Sequence, residues 1–600
     1  MTTAALALAA CLLLPPDEEI RVQVPAARKI LDGWHAQEPV AGERKFIITY
    51  FTPADCEPAP QYRERLSRVL FDVQKFYLDE MRRNGFGDRT LRFETEADGL
   101  IRIHMVKGAH PASHYKTESG SEIRTECYPV LKDAGLFPNS ETIAIFCNLS
   151  RWDEAAKTIS QHSPYYAGGS QSSGTAWQCD SPILDSALID RKEPIVQDGQ
   201  YGKISLGKYN TIFVGGVAHE FGHALQLPHN AERQDQRALW GTALMGRGNH
   251  TYGSERRGES ERSFLTLASA LRLASHPMFS GSVKGMTDRA KSSVTDVQLE
   301  SQERGFNMAA TVTGEPPIYG AVAYMDPTGG SNYDAATATA VPDENGRIQF
   351  ECRSFRSDRP GAFKVTLLHA NGAVSNPEEL RFPYDVDRAG VVDVSAVKSK
   401  GTLKALSTAV NGRKVDEAHD ALERLKTEGA SARLVEAAAT LFSTLNPAPR
   451  VEPAQAEGEM LRLTDAKYFA AATGWGRPSV NRLPDSEPLF WLGGRVFPRG
   501  LYAHAPSTYE YALDGKWERF TAVAGLADEH PGSVVFVVTG DDKELFKSST
   551  VKAETPVQID VSVKDVKRLV LTVTDAGDGN RADWGVWLEP TVRREVPMAR

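Results

Sequence analysis

The run GGVAHEFGHALQLPH, residues 215–229, decides how the N-terminal half of this chain is read. Residues four apart on a helix face the same side, so His219 and His223 present two imidazoles to one point. Glu220 stands one position on, within reach of anything bound there. A continuing helix cannot bring a third imidazole to that point six residues later. Pro228 removes a helical hydrogen bond and clashes with the preceding turn, which predicts that the helix ends there and that His229 swings back as the third ligand. Three neutral imidazoles make a four-coordinate Zn²⁺ site with one exchangeable position. A water in that position becomes acidic, and Glu220 is placed to take its proton and pass it to a leaving amine. The bland alternative is a chance cluster on a solvated helix face. With 14 histidines in 600 residues, a third one at the required place fits chance poorly.

HEFGHALQLPH resembles the H-E-x-x-H-x-x-G-x-x-H signature of the metzincin metallopeptidases. The resemblance implies that His219, His223 and His229 ligate zinc and that Glu220 is the catalytic base. It also implies a methionine turn beneath the metal, for which Met245 in WGTALMGRGNH (240–250) stands at a suitable distance. Two positions depart from the pattern. Gln226 replaces the glycine where the family's chain leaves its helix, and a non-glycine in left-handed backbone there costs about 1–2 kcal/mol. Some members carry a tyrosine two residues after the methionine; Arg247 stands there instead, with Tyr252 nearby. A rival arrangement would take its third ligand from Glu255, Glu259 or Glu261.

The flanking chain supports a catalytic domain over 30–282. KFIITYFT (45–52) reads as a strand, and 61–87 carries Leu66, Val69, Leu70, Val73, Phe76, Tyr77 and Met81 at helical spacing. TLRFETEADGLIRIHMVKG (90–108) alternates on both sides of Asp98-Gly99, which predicts a hairpin. TIAIFCNL (142–149) is another strand, and 259–279 reads as a helix. Residues 155–205 show little periodicity and read as a long functional loop. Their oxygen donors make Ca²⁺ a second candidate cation.

Beyond this domain, 285–388 alternates with Gly, Pro and Asn punctuation, the pattern of an Ig-like β-sandwich. Residues 395–446 read as a helical segment, 447–459 as a Pro-rich linker, and 460–597 as a strand-rich domain. In that last domain, Gly500-Leu501, His504-Ala505, Ser507, Leu513, Phe520, SVVFVVTGDDKELFKS and the late ADWG with Trp584 resemble the NPCBM family of carbohydrate-binding modules. The resemblance implies a galactose-binding-like β-sandwich. Trp491, Trp517, Trp584 and Trp587 are either sugar platforms or core, and His504 reads as structural. The fold class expected is therefore multidomain: an α+β metzincin-like catalytic domain, an Ig-like β-sandwich, a helical segment and a C-terminal β-sandwich.

A length of 600 residues exceeds one hydrophobic core. A net charge of -9 and a pI near 5.9 argue against a nucleic-acid binder. MTTAALALAACLLLPPDEE (1–19) is too short to span a bilayer and fits a signal-like segment over 1–22, with Cys11 a candidate lipid anchor. No internal membrane span is expected. The predicted location is extracytoplasmic: secreted, periplasmic or on the cell surface. Four of the other five cysteines, Cys56, Cys127, Cys147 and Cys179, fall between 50 and 180, which suits one or two disulfides in an exported protein. Cys56 as a thiolate blocking the metal is the weaker reading. Together these features predict an exported zinc metallopeptidase whose partners are a protein or glycoprotein substrate and a polysaccharide. The alternative class is a non-enzymatic cell-surface adhesion protein with a relic metal site; a sugar amidase is a weaker third.

Overall fold

The computed structural model describes residues 16–329, 333–552 and 556–594. Its first elements are α1 (Pro16–Gln37), β1 (Phe46–Thr52), α2 (Tyr62–Arg83), β2 (Ile103–Lys107), α3 (Gly120–Asp133) and β3 (Thr142–Cys147). Six short strands follow: β4 (Ser150–Asp153), β5 (Thr158–Gln161), β6 (Tyr166–Gly169), β7 (Gly174–Cys179), β8 (Ile195–Asp198) and β9 (Gly202–Ser205). They lead into α4 (Leu206–Ala224).

The central sheet has the order β2-β1-β3-β7-β6; the first four strands run parallel and β6 closes the edge antiparallel to β7. β1 and β3 are buried along their whole length, because helices cover both faces. Their side chains alternate between two cores. Phe46, Ile48, Tyr50, Ala144 and Phe146 face α2 and α4, while Ile47, Phe51, Ile143, Ile145 and Cys147 face Ile123, Cys127 and Leu131 of α3. The expected apolar stripe of α2 is buried here, with Phe76 at its margin.

Several expectations need correction. The hairpin over 90–108 keeps its turn, with Glu96 N–H donating to Leu100 O at 2.8 Å, but only the Thr95–Ile101 bridge pairs its arms. The second arm pairs in parallel with β1 instead, as the edge strand β2 of the central sheet. Residues 155–205 are not structureless: β6 and β7 join the main sheet, and β4, β5, β8 and β9 form a second one. The helix expected over 259–279 is broken, with a short strand at 263–264 before two helices. Among the described residues no disulfide forms; Cys56, Cys127, Cys147, Cys179 and Cys352 are free thiols. Cys127, Cys147 and Cys179 are packed in the interior, and burial pushes the Cys147 thiol up to about 12, which makes it inert. Residues 1–15, with Cys11, lie outside the described residues. The boundary expected at 22 falls inside α1, whose Ile20, Val24, Ala27 and Leu31 pack into the main core.

After α4 come α5 (Gln234–Trp240), β10 (Thr242–Ala243), β11 (Ser263–Phe264), α6 (Leu267–Ala274) and α7 (Pro277–Ser280). A β-sandwich follows, made of β12 (Lys291–Gln302), β13 (Gly305–Glu315), β14 (Ile318–Pro327), β15 (Ala336–Ala340), β16 (Arg347–Cys352), β17 (Gly361–His369), β18 (Val374–Ser375), β19 (Arg381–Val386) and β20 (Val392–Asp393). One sheet is β12-β13-β16 and the other is built on β15-β14-β17-β19-β20. β14 is apolar on both sides. Ala321, Ala323 and Met325 fill the sandwich, while Tyr319, Val322 and Tyr324 join the core of the first unit.

Four helices come next: α8 (Ser395–Lys398), α9 (Lys400–Asn411), α10 (Val415–Thr427) and α11 (Ala432–Ser443). The last three share a small core with Leu489 and Val496. The C-terminal region is two packed sheets around Trp517, Phe520, Phe536 and Trp587. The Pro-rich stretch 447–459 is not a free tether, since Pro453 is buried and its carbonyl accepts from Trp517 Nε1 at 3.2 Å. Among the described residues no helix is long and apolar enough to cross a membrane. The chain is thus a multidomain mixed α/β protein with a C-terminal β-sandwich.

Arg65 locks α2 to the chain that follows β7. Its guanidinium pairs with Asp180 at 3.0 Å and donates to the Ser181 and Leu184 carbonyls, both at 2.8 Å, and both charged partners are buried. Arg65→Met leaves Asp180 without its cation and is expected to lower unfolding free energy by about 3–5 kcal/mol, read by denaturant titration. A change well under 1 kcal/mol would contradict this role for the pair.

Candidate metal centre

α4 begins at Ser205, whose hydroxyl caps the helix by accepting from Lys208 N–H at 3.1 Å. The helix is apolar nearly all round and is buried accordingly. Gly222 permits a close approach: a Cβ there would stand 2.5 Å from Met245 Sδ. Met245 is buried against the turn that carries His223.

The helix ends where the sequence requires. Gln226 N–H donates to His223 O and Leu227 N–H to Gly222 O, both at 2.9 Å, a Schellman ending. Such an ending needs a left-handed residue, and Gln226 has φ of 70°. The glycine is missing but its conformation is kept. Arg272 Nη2 holds the Gln226 carbonyl at 2.7 Å.

His229 is brought to the other two histidines. His223 Nε2 lies 3.1 Å from His219 Nε2 and 3.0 Å from His229 Nε2. The tautomers of the first two follow from their other contacts. His219 Nδ1 meets the Leu244 carbonyl and His223 Nδ1 the Leu227 carbonyl, both at 2.7 Å. A carbonyl only accepts, so each Nδ1 carries the proton and each Nε2 presents a lone pair. Burial pulls the His219 pKa down to about 3, and lowers His223 as well, so these rings are neutral. Imidazole lone pairs directed at one another repel unless a cation sits between them. The donor set therefore fits a divalent metal of borderline softness. The carbonyl partners are the outer hydrogen bonds that orient ligating histidines.

The segment after His229 is tied down from several sides. Asn230 N–H donates to Met245 O at 3.1 Å, and its buried side chain bonds Ser269 and Thr266. Arg233 pairs with Glu19 of α1 at 3.1 Å. Ala231 N–H donates to Ala335 O of the sandwich at 2.8 Å. From the same stretch Tyr333 lays its ring on His229, with centroids 3.7 Å apart.

Glu220 follows His219 on α4 and is 9% exposed; burial raises its carboxyl to about 7. Burial and then the nearby Glu220 charge raise the pKa of Tyr333. Tyr165, just before β6, rests its hydroxyl against Gly216, one turn before Glu220, with no protein partner. Neither tyrosine was singled out from sequence. No local spacing relates them to the motif, and only the fold brings them there.

Other candidates fall elsewhere. Tyr252 is buried and donates to Asp72 at 3.0 Å, so its role is packing. Arg247 is exposed. Glu259 pairs with Arg257 at 2.8 Å, Glu261 with Arg237 at 3.5 Å, and Glu255 is exposed; none joins the histidines. Cys56 also stays apart from them. Among the described residues one other trio brings metal-ligating atoms together, the exposed His110, His114 and Glu122, and no such trio lies in 155–205. The trio's two rings stack at 4.0 Å. In the C-terminal sandwich, Trp517 and Trp587 are core, whereas Trp475 is 52% exposed beside Trp584, which stacks on His530 at 4.0 Å. His504 is buried against its own loop, Nδ1 lying 2.9 Å from Ala505 O.

Residues 459–593 match the NPCBM/NEW2 domain family, so the C-terminal sandwich is a domain of that type. A Renibacterium salmoninarum protein named as a candidate endo-alpha-N-acetylgalactosaminidase is 31% identical over 136 residues, which is 21% of this chain and 9% of that protein. Among solved structures, OgpA from Akkermansia muciniphila in complex with an O-glycopeptide is 24% identical, with a TM-score of 0.49, covering 57% of this chain and 94% of that one. A CBM51 from Clostridium perfringens GH95 in complex with methyl-galactose is 23% identical, with a TM-score of 0.21, covering 22% of this chain and 99% of that one.

The left-handed Gln226 gives a stability test. Gln226→Gly is expected to be neutral or to raise stability by up to about 1 kcal/mol, and Gln226→Val to lower it by about 1–2 kcal/mol, read as thermal midpoints. A glycine variant clearly less stable than the valine variant would contradict the turn described.

Proposed function

We propose that this chain is an extracytoplasmic zinc metallopeptidase directed at glycoproteins. The observation that carries the reading is the convergence of three imidazole Nε2 atoms at the end of the helix that also carries the buried Glu220. His219, His223 and His229 would hold the ion. A divalent ion bound there supplies Lewis acidity toward a scissile carbonyl and an attacking water. The Glu220 carboxylate takes the proton of that water and delivers it to the departing amine. Met245 packs the floor, and the Leu244 and Leu227 carbonyls hold the two helical imidazoles in the ligating tautomer. The edge strand β6 flanks α4 with Gly168 open on one side, a backbone on which an extended peptide can pair.

The arrangement supports the metzincin reading of the domain over 30–282, followed by a sandwich (285–388), helices (395–446) and the module from 460 on. The carbohydrate-binding module, with Trp475 and Trp584 as an exposed aromatic pair, supports a glycan-bearing target. The matched relative's name points the same way. Tethering catalysis to a glycan raises the effective substrate concentration. The second reading, a non-enzymatic adhesion protein, would rest on the module alone and leaves the buried Glu220 beside the imidazoles without a role. Ca²⁺ in 155–205 has no converging ligands behind it and is not part of the proposal.

Glu220→Gln is expected to keep its metal, measured by elemental analysis, while glycoprotein cleavage falls by roughly 10²–10⁴-fold. Undiminished cleavage by the variant would contradict the mechanism. Metal uptake by the native protein with no cleavage of any glycosylated or bare substrate would favour adhesion.

A further inference from the structure

We propose that the β-sandwich is a wall of the metal centre and that Tyr333, which it supplies, is a positioning residue for His229. The inference rests on the three histidines binding a metal. His219 and His223 are set by one rigid helix and by the Leu244 and Leu227 carbonyls. His229 is the ligand that lies past the helix end, so its ring needs an outside constraint. Tyr333 provides one, stacked on it at 3.7 Å with planes 28° apart, and lying 6.2 Å from His219. The backbone is constrained too, through the 2.8 Å bond from Ala231 N–H to Ala335 O.

The part of the sandwich that does this is itself anchored. Asp334 pairs with Arg356 at 2.9 Å. β15 pairs with β14, and β14 shares the core of the first unit through Tyr319, Val322 and Tyr324. Thr328, at the far end of the same connection, donates its hydroxyl to the Gly493 carbonyl of the C-terminal region at 2.8 Å. The ring is still 39% exposed, so it can be replaced without opening a core. A stacked aromatic limits the tilt of His229 and screens one face of it from water. Both effects hold the Nε2 lone pair on target, as outer partners of metal ligands do.

The test is zinc affinity of the full chain, read by competition with a chromophoric chelator, together with the absorption spectrum of the cobalt-substituted protein. Tyr333→Ala is expected to weaken zinc binding by roughly tenfold or more and to shift the cobalt spectrum. Tyr333→Phe keeps the ring and is expected to match the native protein in both. Native affinity and spectrum in the alanine variant would overturn the proposal. So would a phenylalanine variant as impaired as alanine, since the hydroxyl and not the stacked ring would then matter. If the native protein takes up no zinc at the three histidines, the reading of the site fails instead, and the two failures are told apart.

Discussion

The convergence of the three histidines depends on one backbone event, the ending of α4 at Gln226. The helix fixes two imidazoles, but the third can join them only if the chain reverses within a few residues. The left-handed conformation at Gln226 and the two bonds of the Schellman ending make that reversal. Pro228 then prevents the helix from resuming. A side chain bulkier than glycine is held in left-handed backbone because the ends are pinned: Arg272 fixes the carbonyl of Gln226, and Asn230 is bonded on its backbone and its side chain. Local strain at a site persists when the surroundings over-determine it.

The surroundings here come from widely separated parts of the chain. α1 contributes Glu19, the Met245 turn contributes two carbonyls, α6 contributes Ser269 and the sandwich contributes Ala335 and Tyr333. β14, buried on both faces, makes the sandwich and the sheet domain continuous in packing. Arg495 extends the continuity to the C-terminal region by holding Asp385 of β19 at 2.9 Å. The C-terminal sandwich therefore belongs to a body that is packed through to the three histidines.

What could be read from sequence was what depends on local period. β1 and β3 announce themselves as short continuous apolar runs, since both their faces are covered, and α2 by a buried face that repeats every three to four residues. The spacing of His219 and His223, and the break at Pro228, are equally local. The four-residue strands of 150–205 are too short to show an alternation, and four of them satisfy one another in a small sheet rather than against a long apolar face. The expected hairpin keeps its turn, yet its second arm pairs with β1, a partner about fifty residues away that no local window of sequence contains. Tyr333 and Tyr165 reach the centre through tertiary packing alone. The free thiols follow the same logic, since a sheet covered on both faces holds its core without cross-links.

The most direct measurement is X-ray absorption at the zinc edge of the purified, metal-loaded protein. The account predicts three imidazole nitrogens at about 2.0–2.1 Å and one exchangeable light atom. Two imidazoles with a carboxylate in the third place, or a protein that retains no zinc after dialysis, would contradict it.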